Sequence, residues 1–131
     1  MGISIVERVA AGILAAEGLA VLLLAGWETV ALVTGDTDDA VSSTALIALT
    51  VIGGVALIGF AFATLRGQSW GRSGGIVAQL LILAVALGAA TGPTPSPQTA
   101  LLTAVPAVVG LIALFAAVRR SAARRAHPDE R

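Results

Sequence analysis

The sequence predicts an all-α membrane protein with four transmembrane helices, at about residues 9–33, 44–65, 74–90 and 99–118, in an antiparallel bundle. Three observations lead there. Hydrophobic residues make up 56% of the chain, charged residues only 12%, and mean hydropathy is +0.92. A soluble domain carries about 25% charged residues. A chain of 131 residues, sized for one domain, cannot hide so much apolar surface from water, so its matching solvent is a bilayer. The apolar residues fall into four runs near the ~20 residues that a spanning helix needs, and none alternates with the period of a membrane β-strand. The charges are sorted between the connectors.

The first run, 9–33, has 25 residues interrupted by Glu17 and Glu28. It is longer than the apolar region of a signal peptide, contains Glu17, and lacks a small-residue cleavage site before Gly35, so a retained helix is expected. The start, MGISIV, lacks the Ser or Thr of a myristoylation motif. Lipid tails are as apolar as Leu, so small residues that let backbones approach drive membrane helices together. Here Gly12-x-x-x-Ala16 and Ala16-x-x-x-Ala20 offer such a stripe.

The connector TGDTDDAVSS carries Asp36, Asp38 and Asp39 and no Arg. It begins like a calcium loop but lacks the required Gly and Glu, having Val41 and Ile47 instead; an acidic turn is the expectation. The second run, 44–65, offers Thr50-x-x-x-Gly54, Val55-x-x-x-Gly59 and Gly59-x-x-x-Ala63 as packing or self-association stripes. RGQSWGRS follows with Arg66, Trp70 and Arg72, and Ser73 is placed to cap the third helix. That run, 74–90, is short. TGPTPSPQ has three prolines, which cannot continue a helix. In the last run, 99–118, Pro106 removes a backbone bond to the Leu102 carbonyl, which predicts a kink, with Gly110 one turn on. Residues 119–131 carry five Arg and read as a basic, disordered cytoplasmic tail.

Arg8, Arg66, Arg72 and the tail arginines fall on one side and none on the other. By the positive-inside rule both termini should be cytoplasmic, and abundant Ala, Gly, Val and Leu with Arg in place of every Lys suggests a GC-rich bacterial genome, so a multi-pass protein of the bacterial inner membrane is expected. Trp27, Arg66, Trp70, Arg72, Arg119 and Arg120 are candidate lipid-interface anchors, by topology fixing or by specific lipid or partner contacts.

Absences exclude much chemistry. With no Cys, no Lys, no Tyr and His127 as the one histidine, no thiolate, Schiff-base or histidine-cluster chemistry is expected, and no cofactor. Nucleic acid is not an expected partner, for want of a folded basic face with stacking aromatics. Gly71-Arg72-Ser73-Gly74-Gly75 matches a nucleophile elbow in letters only, because that motif needs a strand-to-helix turn and a His partner.

Glu17 is the informative residue. It lies nine positions past Arg8, about 13 Å along the helix, where an ionisable group is costly and should face the bundle. Glu28, about three turns on, shares its face near the outer interface. Gln79 lies about 10 Å past Arg72, close to the depth of Glu17. A Glu17–Gln79 hydrogen bond between the first and third helices is the preferred reading. A proton- or cation-coupling role for Glu17 is the sharper alternative. Arg8…Glu17 and Arg72…Gln79 also echo each other, which suggests a duplicated hairpin.

The pattern Arg66…Trp70-Gly71-Arg72…Gln79 resembles a group of small four-span integral membrane proteins of actinobacteria. The likeness covers about residues 60–90 and implies topology and no activity. Gly12-Ile13-Leu14-Ala15-Ala16-Glu17 is locally similar to the first helix of small multidrug resistance transporters, which would imply proton-coupled transport through Glu17. The chain departs from that family in having no Tyr, no mid-span Trp and a one-sided arginine distribution. The expected function is therefore a structural or accessory membrane component, not an enzyme, which contacts the lipid bilayer and packs with itself or a larger membrane complex. A proton-coupled small-molecule transporter is the alternative.

Overall fold

The computed structural model describes residues 2–127, which form four helices joined by short turns: α1 (Ile5–Val33), α2 (Ala40–Leu65), α3 (Ser69–Thr91) and α4 (Pro97–Ala126). Each is long and apolar enough to cross a membrane. Successive helices are antiparallel. Each packs on its neighbours in sequence, and α1 also meets α4, so the four close into a ring with α1 and α3 on one diagonal. Both ends of the described chain and the α2–α3 turn share one end of the bundle, which holds every described arginine. The turns bearing Asp36, Asp38 and Asp39 and the prolines lie at the other.

All four helices start before the apolar runs do, because a helix begins at its cap and not where lipid begins. Ser4 and Glu7 form a reciprocal capping box on α1, Asp39 accepts from Val41 N–H on α2, and Ser96 accepts from Thr99 N–H on α4, with Pro97 next. Ser73 does not cap α3. That helix starts one turn earlier, and the Ser73 hydroxyl donates to the Ser69 carbonyl at 3.2 Å. α1 and α2 both end at a glycine with positive φ, Gly35 (76°) and Gly67 (72°). At each, two reversed backbone bonds close the last turn, for example Gln68 N–H to the Ala63 carbonyl at 2.9 Å and Gly67 N–H to Thr64 at 3.0 Å. Residues 119–126, expected as disordered tail, continue α4: Arg119, Arg120, Arg124 and Arg125 stand on helix, next to Ala-rich sequence that favours it. The rest of that tail, 128–131, lies outside the described residues.

The core is small: Ala10, Leu14, Leu57, Ala61, Ala113 and Leu114. Large apolar residues such as Leu23, Ile52, Leu81 and Ile112 point outward, as suits lipid-facing helices. Close approach is made by particular glycines. α1 and α2 cross at Gly18 and Gly54: a Cβ on Gly18 would come within 2.9 Å of Ile58, and one on Gly54 within 2.7 Å of Leu22. Of the glycines in the expected stripes only Gly54 is used this way. Gly12 and Gly59 face open space. α3 meets α2 at Gly71, whose Cβ would lie 2.6 Å from Ala63 Cβ and Thr64 N, and at Gly74 under the Phe60 ring.

Candidate functional site

Two polar connections cross the diagonal between α1 and α3, at different depths. In the middle, Gln79 of α3 is fully buried and its amide Nε2 donates to Glu17 Oε2 of α1 at 2.5 Å. The sequence places these two side chains at similar depth, and the fold brings them together. Glycines make the room. A Cβ on Gly110 of α4 would sit 2.9 Å from Gln79 Nε2, so the missing side chain is what lets α4 close over the amide. One turn before Gln79, Gly75 lets Leu14 and Leu114 close beneath it, at 3.0 and 3.1 Å from where its Cβ would be. The second oxygen of each group, Glu17 Oε1 and Gln79 Oε1, is buried with no hydrogen-bond partner.

At the arginine end the connection is ionic and centres on Glu7, which sequence reasoning did not single out. Its side chain is 4% exposed. Glu7 Oε2 accepts from Ser4 N–H at 2.9 Å and from the Ser4 hydroxyl at 3.1 Å, which ties down the start of α1. Oε1 lies 3.5 Å from Arg72 Nη1 of α3, and Oε2 lies 3.4 Å from Arg124 Nη2 of α4. Arg72 Nη1 also donates to the Gly67 carbonyl in the α2–α3 turn at 3.1 Å. One carboxylate thus joins α1, α3 and α4, and through Arg72 the end of α2. The available signal is Ser4-Ile5-Val6-Glu7 ahead of an apolar run, a capping-box spacing.

This changes the place of Arg72. Grouped by sequence with the lipid-interface anchors, it is only 4% exposed, since its guanidinium turns inward to Glu7. Trp27 (75% exposed), Trp70 (54% exposed), Arg66, Arg119 and Arg120 do stand on the surface. Trp70 packs edge-on against Phe60 and donates from its indole to Gln68 Oε1 at 3.1 Å, while Arg66 lies over the Phe62 ring at 4.4 Å. Glu28, expected near the outer interface, is half-buried, with Oε2 shielded and unpartnered.

Residues 71–75 lie inside α3, so the elbow-like letters have no elbow. Among the described residues no group of three or more His, Asp or Glu is placed to hold a metal. The acidic turn serves instead to start α2: the Ser42 hydroxyl and then the Val41 N–H hold the Asp39 carboxyl below the ordinary carboxylate range. Among the described residues, two of the indentations lie at the arginine end, one is an apolar groove between α2 and α3 and one flanks the start of α2. Glu17 and Gln79 line none of these.

Compared with known proteins, the chain matches no family model, no curated protein and no solved structure.

Proposed function

We propose that this chain is a small multi-pass protein of the bacterial cytoplasmic membrane, with both termini in the cytoplasm and no catalytic site, that serves as a structural or accessory component. One observation carries the reading: the intramembrane carboxylate is engaged with a buried amide, in a seat closed by Gly110. A bundle whose inner polar groups bind one another, and whose outer faces are apolar, is suited to stand among lipids and other membrane helices. The placing of every arginine on one side and of Asp36, Asp38 and Asp39 on the other supports the orientation.

A second reading, proton-coupled transport through Glu17, has one observation in its favour. Glu17 Oε1 and Gln79 Oε1 are polar, buried and unpartnered at mid-bundle, where ionisable groups mark ion and proton routes.

Labelling with a water-soluble carbodiimide and an amine nucleophile, read by peptide mass spectrometry in right-side-out and inverted vesicles, separates the two. The structural reading predicts that Glu17 is modified only after the bundle is denatured. Modification from both sides of the intact membrane would replace it with the transport reading.

A further inference from the structure

We propose that the cleft between the start of α3 and the end of α4, at the arginine end, binds the phosphate group of an anionic membrane lipid. The cleft has a volume of about 160 Å³ and is lined by the hydroxyl residues Ser69, Ser73 and Ser121 and by Arg72 and Arg125. Hydroxyl and guanidinium donors are the groups that recognise phosphate oxygens.

The segments on this side carry all eight Arg of the chain against Glu7, Asp129 and Glu130, an excess of positive charge. Among the described residues the arginine end holds Arg8, Arg66, Arg72, Arg119, Arg120, Arg124 and Arg125, and its one carboxylate is Glu7. Glu7 is shared between Arg72 and Arg124. Arg72 is almost fully buried, and its recorded bonds, to Glu7 and to the Gly67 carbonyl, both use Nη1. Arg125, across the cleft, has no carboxylate partner among the described residues. A buried guanidinium that shares its carboxylate with Arg124, beside a second guanidinium with no carboxylate partner among the described residues, is an arrangement that a phosphate group would complete. The start of α3 adds to the field. Gln68 makes no side-chain cap bond because its Oε1 is taken by the Trp70 indole, which leaves the first-turn N–H groups beside Ser69 without a side-chain acceptor.

The surroundings favour a lipid over a soluble anion. Val118 and Ala122 form part of the wall. Two helical turns along α3 from Ser73 stands the exposed Leu80. Two turns along α4 from Arg125 stands Val118, and two turns further Leu111. An apolar seam therefore runs from the cleft toward mid-bundle, where acyl chains attached to the phosphate would lie. Trp70, exposed at the same end, is a side chain suited to the headgroup level.

The test is native mass spectrometry of the full chain in neutral detergent with added phosphatidylglycerol, phosphatidylcholine or inorganic phosphate. The proposal predicts one retained phosphatidylglycerol per chain and at least tenfold weaker retention in R125Q and in the double variant S73A/S121A. R8Q, which removes an exposed charge at the same end but outside the cleft, should retain it as the unsubstituted chain does. Arg125, Ser73 and Ser121 are not core residues, and unchanged thermal unfolding of the variants would show that folding is intact. Equal retention by R125Q and the unsubstituted chain would overturn the cleft. Inorganic phosphate that binds as tightly and displaces the lipid would overturn the lipid assignment in favour of a soluble anion.

Discussion

α1 and α3 face each other across the bundle and are joined twice, by different means. At the arginine end, the Glu7 carboxylate takes two guanidiniums and two Ser4 donors. Some 15 Å further in, by helical rise, the Glu17 carboxylate takes a single amide, Gln79. The outer connection is rich in charge because excess positive charge there can be relieved by water and headgroups, as the half-exposed Arg124 shows. No such relief exists at the centre, so the partner supplied there is an uncharged donor held in a glycine-lined seat. Depth decides which polar chemistry a diagonal contact can use.

That contrast can be broken at either end. The largest effect is expected at Glu7. E7A leaves Arg72 buried without its carboxylate, and truncating one partner of a buried pair costs about 3–5 kcal/mol. E7Q, which keeps one acceptor oxygen for the Ser4 donors, should cost less, and thermal unfolding in detergent would rank the two. At the centre, G110V drives side-chain atoms into the space that Gln79 occupies. Overpacking of that kind costs about 1–3 kcal/mol, read by the same unfolding assay. R124Q removes the half-exposed arm of the Glu7 hub. Exposed pairs contribute about 0.2–1 kcal/mol, and the difference from the unsubstituted chain should shrink at high salt, whereas the cost of G110V should not change with salt.

The smallest effect lies at the opposite end. Asp39 is ionised more readily in the folded chain than when unfolded, so its capping contribution is full above the ordinary carboxylate range. It is lost as pH falls through the lower folded value. Acid titration of unfolding should show this component, and D39N, which keeps the cap without the charge, should lack it.

The central connection was legible in the sequence because one ionisable residue stood deep in an apolar run and rise per residue placed Gln79 beside it. The outer one was legible in half. Ser4-x-x-Glu7 is a local capping signal, but the contact with Arg124 joins residues 117 positions apart, and nothing local announces it. The same gap explains Arg72. As a residue in a basic turn it resembles an interfacial anchor, and only the fold shows that Glu7 waits inside. Gly18 was missed for another reason. In an Ala-rich chain small residues recur at four-residue spacing everywhere, and crossing geometry, not spacing, selects Gly18 and Gly54 over Gly12 and Gly59. The helix starts lie before the apolar runs because hydropathy marks the lipid boundary while Ser4, Asp39 and Ser96 mark the start of the helix.

The most direct test of the account is a double-mutant cycle on Glu17→Leu and Gln79→Leu, with unfolding free energies measured in detergent or bicelles. If the two side chains form a structural connection, each single variant strands a buried polar group. The double variant then loses less than the sum of the singles, with a coupling of about 0.6–2 kcal/mol. Additive losses would mean that Glu17 and Gln79 do not depend on each other, and the reading of the mid-bundle pair as a structural connection would fail.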